Sequence, residues 1–248
     1  MKKLLLFIGG VPRCGTNTIS LWCYLHDDVY MYITEGGARR NKHYIDDLIR
    51  NKRNMKFLKS STNPEMYEKT KDYIFEKTKL QRNDILNKRI VGTRIDNAYK
   101  SFCIVRNHNP DDRASRLIFT MRKDIYALYY SHRYMIFKNR KKVMADPVNY
   151  FYNYLENIFT DMEPVIGQND VFFFDITWHG PNRYNDLAQF LGIEINDIQK
   201  EWIEQNINIY SMADDPSYLI GMEKERERIK GKFDKLYNHP LYKKLYGS

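Results

Sequence analysis

Long apolar runs are rare in this sequence of 248 residues, and none reaches the roughly 20 residues that a membrane-spanning helix needs. Cysteine is scarce as well: Cys14, Cys23 and Cys103 cannot all form pairs, and their spacing is not that of a metal site. Both absences favour a chain without a membrane span in a reducing compartment, and we expect the cytoplasm.

Segments that separate domains are also missing. The sequence contains no internal repeat and no low-complexity linker, and its opening KKLLLFI lacks the small-residue cleavage site of a signal peptide. With 43% apolar and 15% aromatic residues, the chain has enough material for one sizeable core. We therefore expect one α/β domain over residues 1–248.

The charge balance is strongly positive, at +9. This excess indicates either a solvated basic surface or an anionic ligand or polyanionic acceptor. Nucleic acid is not expected as a partner, because the basic residues are dispersed and no known nucleic-acid-binding motif is present.

The beginning of the chain has the pattern of a strand, a tight turn and a helix. Residues 4–8 are a continuous apolar run, which Gly9, Gly10 and Pro12 interrupt. Apolar residues then recur at helical spacing, and Thr16 is predicted to be the N-cap. Such a loop directs backbone N–H groups and the positive end of a helix dipole towards one point, where phosphate or sulfate binds.

The loop differs from that of the nucleoside-triphosphate hydrolases. In those proteins a Lys and a Ser or Thr follow the last glycine, whereas here Gly15 is followed by Thr16 and the only basic side chain is Arg13. An anion site is still expected, but the pattern of a kinase is incomplete. The kinase alternative would use Asp175, at the end of an apolar strand, to hold magnesium.

The segment VPRCGTNT resembles the 5'-phosphosulfate loop of sulfotransferases that use 3'-phosphoadenosine 5'-phosphosulfate (PAPS). Cys14 stands where that family more often has Ser or Thr, and Asn17 stands where Thr is common. The resemblance implies that Arg13 acts on the transferred group as well as binding the donor. It implies a donor-binding set of Pro12, Arg13, Cys14, Gly15, Thr16 and Asn17.

A second segment, NPDDRASRLIFTMRKDIYALYYSHRY, resembles the part of the same family that binds the 3'-phosphate. An apolar strand over residues 117–121 ends at Arg122, and Asp124 is positioned to cap the next helix. The resemblance implies that Arg122 and Ser131 hold the 3'-phosphate. No Pro follows Arg122, and Ser131 lies one residue further along than the family's serine usually does.

Two further segments resemble parts of the same family that take part in the transfer reaction. In KRIVGTRIDNAYKSF a short strand over residues 89–91 meets Gly92, and Arg94 and Tyr99 follow where the glycan and tyrosylprotein branches have a Lys and an aromatic residue. Arg94 is then expected to neutralise charge on the sulfuryl group. In VYMYITEGGARR, Glu35 follows a short strand and is the expected base that takes the acceptor's proton.

These resemblances imply a P-loop-type α/β fold, a three-layer sandwich with a central parallel sheet of four or five strands. The implied function is PAPS-dependent sulfuryl transfer to a hydroxyl or amine, with adenosine 3',5'-bisphosphate as product and no metal. Sugar, protein tyrosine, lipid and small-molecule hydroxyls all remain open as acceptors, and the resemblance to the glycan and tyrosylprotein branches points to the first two. A helical insert over residues 41–86 is expected to contribute to the acceptor side.

Two alternatives remain open at this point: a P-loop nucleotide or small-molecule kinase, and a non-catalytic polyanion-binding protein. The basic stretch from Lys230 to Lys232 faintly resembles the loop with which many sulfotransferases close the nucleotide site, but a solvated helix end is the simpler interpretation.

Overall fold

A computed structural model describes most of the chain. It covers residues 3–11, 14–33, 64–78, 80, 82–94, 98–107, 114–139, 146–178, 180–206 and 216–247. Pro12, Arg13 and Glu35 therefore lie outside the described residues, as does much of the predicted insert.

The described residues contain five strands: β1 (Leu4–Gly10), β2 (Val29–Ile33), β3 (Ile90–Arg94), β4 (Ala114–Met121) and β5 (Val171–Asp175). The helices among them are α1 (Thr16–Tyr24), α2 (Pro64–Thr78), α3 (Arg82–Asn87), α4 (Ala98–Asn107), α5 (Ile125–Asn139), α6 (Pro147–Met162), α7 (Pro181–Leu191), α8 (Asp197–Asn206), α9 (Pro216–Arg228), α10 (Asp234–Tyr237) and α11 (Pro240–Tyr246). A single 3-10 turn, Ile176–Trp178, follows β5.

The strands form one sheet in the order β2-β3-β1-β4-β5, and every neighbouring pair is parallel. Helices cover both faces, so the predicted α/β layering with a parallel sheet of four or five strands is confirmed. None of the described helices has the length and apolar character that crossing a bilayer requires.

Each face of the sheet has its own core, because alternate residues of a strand point to opposite faces. On the first face, Leu4, Leu6 and Ile8 of β1 pack with α1, α7 and α8, where Trp22 and Trp202 are fully buried. On the second face the packing partners of β1 and β4 come from α4, α5, α6 and the C-terminal helices. They include Phe102, Leu128, Phe151, Phe159, Phe233 and Leu241.

Strand β3 differs from the prediction. The sequence places its end at Gly92, whereas β3 continues to Arg94, which pairs with Ile8 on one side and Ile33 on the other. Gly92 is needed for packing rather than for a turn: a Cβ atom there would lie 2.4 Å from Sδ of Met31.

Several helix boundaries follow the sequence closely. Helix α2 begins at Pro64, and proline is a residue suited to the first position of a helix. Asp146 caps α6 by accepting a hydrogen bond from the Asn149 N–H at 3.0 Å. Helix α7 ends at a glycine cap, since Gly192 adopts φ 68° at its C-terminus.

Candidate functional site

The strand order identifies the edge of the sheet where a ligand is expected. The chain leaves β1 towards β2 on one side, and it leaves β4 towards β5 on the other. The carboxyl ends of β1 and β4 therefore flank a crevice of the kind in which open α/β sheets bind their ligands. The loop after β1 and the loop that begins at Arg122 both start here.

Backbone contacts between β1 and β4 continue into the first loop. The Val11 N–H donates to the Thr120 carbonyl at 3.0 Å, and the Cys14 N–H donates back to the Val11 carbonyl at 3.2 Å. Gly10, at φ 148°, allows this close approach, since a Cβ atom there would lie 2.1 Å from the Thr120 carbonyl oxygen. The loop is thus fastened to β4 just before Arg122.

Helix α1 begins one residue earlier than predicted, so the prediction of Thr16 as N-cap is wrong. Gly15 is the N-cap, at φ 78°, and it makes no side-chain capping hydrogen bond. Its left-handed backbone turns the chain into the helix and leaves Thr16 as the first helical residue. A helix start without a side-chain cap retains N–H groups that can bind an anion.

The other predicted residues of this loop differ in burial. Cys14 is fully buried in the core of the second face, so its thiol is not available to a ligand, and its backbone N–H is the one that donates to the Val11 carbonyl. Asn17 lies in the first turn of α1, and its Oδ1 atom is buried without a hydrogen-bond partner among the described residues. Pro12 and Arg13 are in the same loop but are not described.

Arg122 directly follows β4. Its Nε atom is buried and has no hydrogen-bond partner among the described residues. An arginine N–H in that situation favours an anionic ligand, because a buried donor without an acceptor is costly. The residues that follow are well ordered by hydrogen bonds: Asp124 accepts from the Ala127 N–H at 2.9 Å and so caps α5, as predicted.

Ser131 is placed differently from Arg122. It lies on α5 six residues after Ile125, which corresponds to roughly 9 Å along the helix axis. Only 4% of its surface is exposed. The two residues thus come from one continuous loop and helix, but Ser131 is enclosed by the protein whereas Arg122 is partly exposed.

Arg94 is the last residue of β3 and is 8% exposed. By strand alternation it shares a face with Ile90, which packs in the core beneath α1. Arg94 therefore lies at the carboxyl edge of the sheet, on the face that α1 covers. Tyr99 does not accompany it: its hydroxyl donates to Asp161 of α6 at 3.1 Å, and its ring is buried in the other core.

Asp175 does not suit the role that the kinase alternative gives it. It ends β5, which is separated from β1 by β4, and it is fully buried. Its Oδ1 atom accepts hydrogen bonds from the N–H of Thr177 at 2.7 Å and from the Thr177 hydroxyl at 2.6 Å. The carboxylate thus stabilises the 3-10 turn, whose Ile176 packs beneath Gly15.

The basic stretch near the C-terminus forms an exposed turn directly after the end of α9, beside the start of α5. Gly231, at φ 78°, lies between Lys230 and Lys232, and its N–H donates to the Tyr126 hydroxyl at 3.1 Å. Both lysines are exposed. The turn therefore contacts the residue that follows Ile125 at the start of α5.

A pocket of about 650 Å³ lies at the opposite, amino-terminal edge of the sheet. Arg106 and Arg116 line it together with Asp170, but Arg106 is already paired with Asp170 at 3.1 Å. No described residue that the sequence singled out lines this pocket, and we do not place the site there.

Sequence comparison gives no family for this chain: no family model matches it, and no curated protein does. Among solved structures, the chain is similar to the sulfotransferase domain from the curacin biosynthetic pathway, with 12% identity, a TM-score of 0.48, and coverage of 80% of this chain and 77% of that one.

Two other solved structures have the same TM-score of 0.48. Sulfotransferase STF9 from Mycobacterium avium is 12% identical, and the match covers 96% of this chain and 77% of that one. The sulfotransferase domain from the Synechococcus PCC 7002 olefin synthase is 14% identical, with coverage of 91% and 89%. Likenesses this weak do not identify a substrate or a mechanism, so function has to be argued from the residues of this chain.

Proposed function

We propose that this protein is a PAPS-dependent sulfotransferase whose donor site lies at the carboxyl edge of the sheet, between β1 and β4. The observation that carries this proposal is the pairing of two anion-binding features across one crevice. One is the start of α1, which has no side-chain cap among the described residues, and the other is the buried Nε of Arg122, for which these residues supply no hydrogen-bond partner. A nucleotide with a phosphate at each end matches that arrangement.

The residues divide between the two ends of the donor. Arg13 and the backbone N–H groups of Gly15 and Thr16 hold the 5'-phosphosulfate, where the dipole of α1 adds to the attraction. Arg122 holds the 3'-phosphate through charge-assisted hydrogen bonds, with Ser131 as its partner on α5. When bound, the donor supplies an activated sulfuryl group.

Transfer then depends on positioning and on charge. The Glu35 carboxylate accepts the proton of the acceptor hydroxyl. The acceptor oxygen then forms a bond to sulfur as the bond between sulfur and the bridging phosphate oxygen breaks. Arg94 and Arg13 stabilise the negative charge that develops on the sulfuryl and leaving oxygens. Stabilisation by preorganised charges of this kind is commonly the largest contribution to catalysis.

The acceptor is a hydroxyl-bearing or amine-bearing molecule, and small-molecule hydroxyls stand beside carbohydrate and protein tyrosine as substrates to screen. Three free cysteines, of which Cys14 and Cys23 are buried, fit a reducing compartment such as the cytoplasm. The kinase alternative is less well supported, because Oδ1 of Asp175 accepts two hydrogen bonds from Thr177 in the 3-10 turn.

A transfer assay tests the proposal. The protein is incubated with PAPS and a panel of hydroxyl and amine acceptors, and products are sought by mass spectrometry as acceptors that carry one added SO₃ group. Glu35→Gln should abolish the product and leave bisphosphate binding nearly intact, whereas Glu194→Gln, an exposed carboxylate elsewhere, should behave as wild type. Full transfer activity in Glu35→Gln would remove the assigned base.

A further inference from the structure

The loop that carries Arg122 is held from outside by the end of the chain. We call residues 122–126 the Arg122 loop and residues 216–246 the C-terminal segment. Four contacts join them. They are Tyr242 hydroxyl to the Lys123 carbonyl at 2.7 Å, the Ile125 N–H to the Tyr237 hydroxyl at 3.0 Å, the Gly231 N–H to the Tyr126 hydroxyl at 3.1 Å, and the ion pair between Arg226 and Asp124.

Two of these contacts involve backbone groups immediately after Arg122. The Lys123 carbonyl belongs to an irregular loop, and the Ile125 N–H is the first of α5. The backbone hydrogen bonding of helices and strands therefore supplies neither group with a partner. Tyr242 and Tyr237 supply the missing hydrogen-bond partners. They fix the path of the backbone that leads from Arg122 into the helix.

The tyrosines are themselves held firmly. The rings of Tyr237 and Tyr242 meet edge to face with centroids 5.1 Å apart, and Tyr126 stacks on Tyr237 at 5.9 Å. Tyr126 also contacts the buried ring of Phe233 at 5.2 Å. A hydroxyl on a ring packed in this way has little freedom, so it restricts the backbone group that it contacts.

We propose that Tyr237 and Tyr242 are positioning residues that orient Arg122 and thereby set the preference of the site for a nucleotide with a 3'-phosphate. They act on the ligand only through Arg122. The inference rests on the proposed function, because it assigns the 3'-phosphate to that arginine.

The test compares two ligands that differ only in this phosphate. Dissociation constants for adenosine 3',5'-bisphosphate and adenosine 5'-monophosphate are measured by titration calorimetry. In Tyr237→Phe/Tyr242→Phe we expect the preference for the bisphosphate to fall about five- to tenfold, the loss expected when hydrogen bonds of ordinary strength are removed. Affinity for the monophosphate should be unchanged.

A control separates positioning from general stability. Tyr152→Phe removes a hydroxyl that donates to Glu156 within α6, away from the Arg122 loop, and should leave the preference as in wild type. A purely structural role for Tyr237 and Tyr242 would lower the unfolding temperature and leave the ratio of the two affinities unchanged. That result would overturn the inference.

A double-mutant cycle tests whether the effect passes through Arg122. In an Arg122→Ala background the two Tyr→Phe changes should no longer alter the preference, because the group they orient is gone. An equal effect in both backgrounds would contradict the proposal. If the Tyr237→Phe/Tyr242→Phe protein does not fold, the ratio of the two nucleotide affinities is measured for Tyr242→Phe alone.

The same titrations separate the two proposals. A wild-type protein that binds both nucleotides equally would contradict the proposed function itself. A wild-type protein that prefers the bisphosphate, together with Tyr→Phe variants that keep the preference in full, would contradict only the role given to the tyrosines.

Discussion

The Val11 N–H donates to the Thr120 carbonyl at 3.0 Å, one residue beyond the last residue of β1. This bond extends the pairing of β1 and β4 to the point where both strands become loops. It joins the loop in front of α1 to the segment that leads into Arg122. The bond therefore links the two ends of the proposed donor site, and we expect a substitution at either end to weaken nucleotide binding.

Arg122 is expected to contribute most of the affinity for the 3'-phosphate. Arg122→Ala should weaken binding of adenosine 3',5'-bisphosphate roughly ten- to hundredfold, since a hydrogen bond to a charged group contributes about 1.5 to 3 kcal/mol. Binding of the monophosphate should change little. The matched control is Arg106→Ala, which removes the same charge at the opposite edge of the sheet. Equal weakening in both variants would show only a loss of general attraction.

Gly15 is expected to tolerate no side chain. Gly15→Ala places a Cβ atom at φ 78° and 2.1 Å from Cδ1 of Ile176. Left-handed strain and overpacking together should lower the free energy of unfolding by about 2 to 5 kcal/mol. Gly180→Ala is the control, because Gly180 has extended backbone and no atom of the described residues lies within 4 Å of the added Cβ.

Urea unfolding measures both glycine variants. The control should lose at most about 1 kcal/mol, the range expected at a helix N-cap. Nucleotide binding by Gly15→Ala should fall as well, because the N–H groups at the start of α1 are displaced. A Gly15→Ala protein with wild-type stability would contradict the assigned loop geometry.

Arg94 is expected to act in transfer more than in binding. Arg94→Met removes the charge and keeps an unbranched side chain, and kcat for sulfuryl transfer should fall roughly 100- to 1,000-fold, as when a preorganised charge is lost elsewhere. Arg94→Lys should recover part of the rate. Because Arg94 is 8% exposed, unfolding of each variant is measured in parallel. An unchanged kcat in Arg94→Met would exclude this role.

A buried lysine should make stability depend on pH. Nζ of Lys77 donates to the backbone carbonyls of Tyr24 at 2.5 Å, of His26, and of Val29 at 3.0 Å. Burial lowers the pKa of Lys77 from 10.5 to about 7, and the charge of Asp27 opposes this effect in part. Between these two pKa values the unfolded chain binds more protons than the folded one.

The free energy of unfolding should therefore rise as the pH increases from 7 to 9, and the dependence should flatten below about pH 7, where Lys77 is protonated in both states. Lys77→Met should remove the rise, and Lys200→Met, an exposed lysine on α8, should retain it. Urea unfolding at several pH values measures the slope. The same slope in Lys77→Met and wild type would contradict the assignment.

Much of the fold could be predicted from local patterns. Apolar runs such as Val29–Ile33 coincide with strands, because a strand covered on both faces has to be apolar throughout. The end of β3 was harder to predict. A glycine such as Gly92 is typical of a turn, but here its lack of a side chain allows Met31 to pack closely against the strand. Only the neighbouring strand reveals which of these two uses a glycine has.

The site was predictable where it depends on short motifs and not where it depends on distant contacts. Arg122 follows a strand that its apolar run predicts, and Asp124 caps a helix that its apolar spacing predicts. The hydroxyls of Tyr237 and Tyr242 in the C-terminal segment meet the Arg122 loop across 112 and 119 residues of sequence, and no local pattern signals such a contact.

We expect the carboxyl edge of the sheet to bind a nucleotide with phosphates at both ends. The most direct test is thermal unfolding with adenosine 3',5'-bisphosphate, compared with ATP and magnesium at equal ionic strength. At a hundredfold excess over its dissociation constant, a bound ligand adds about 2.7 kcal/mol of stability. We predict that the bisphosphate alone raises the unfolding temperature. A rise only with ATP and magnesium, or no rise with either ligand, would contradict this account.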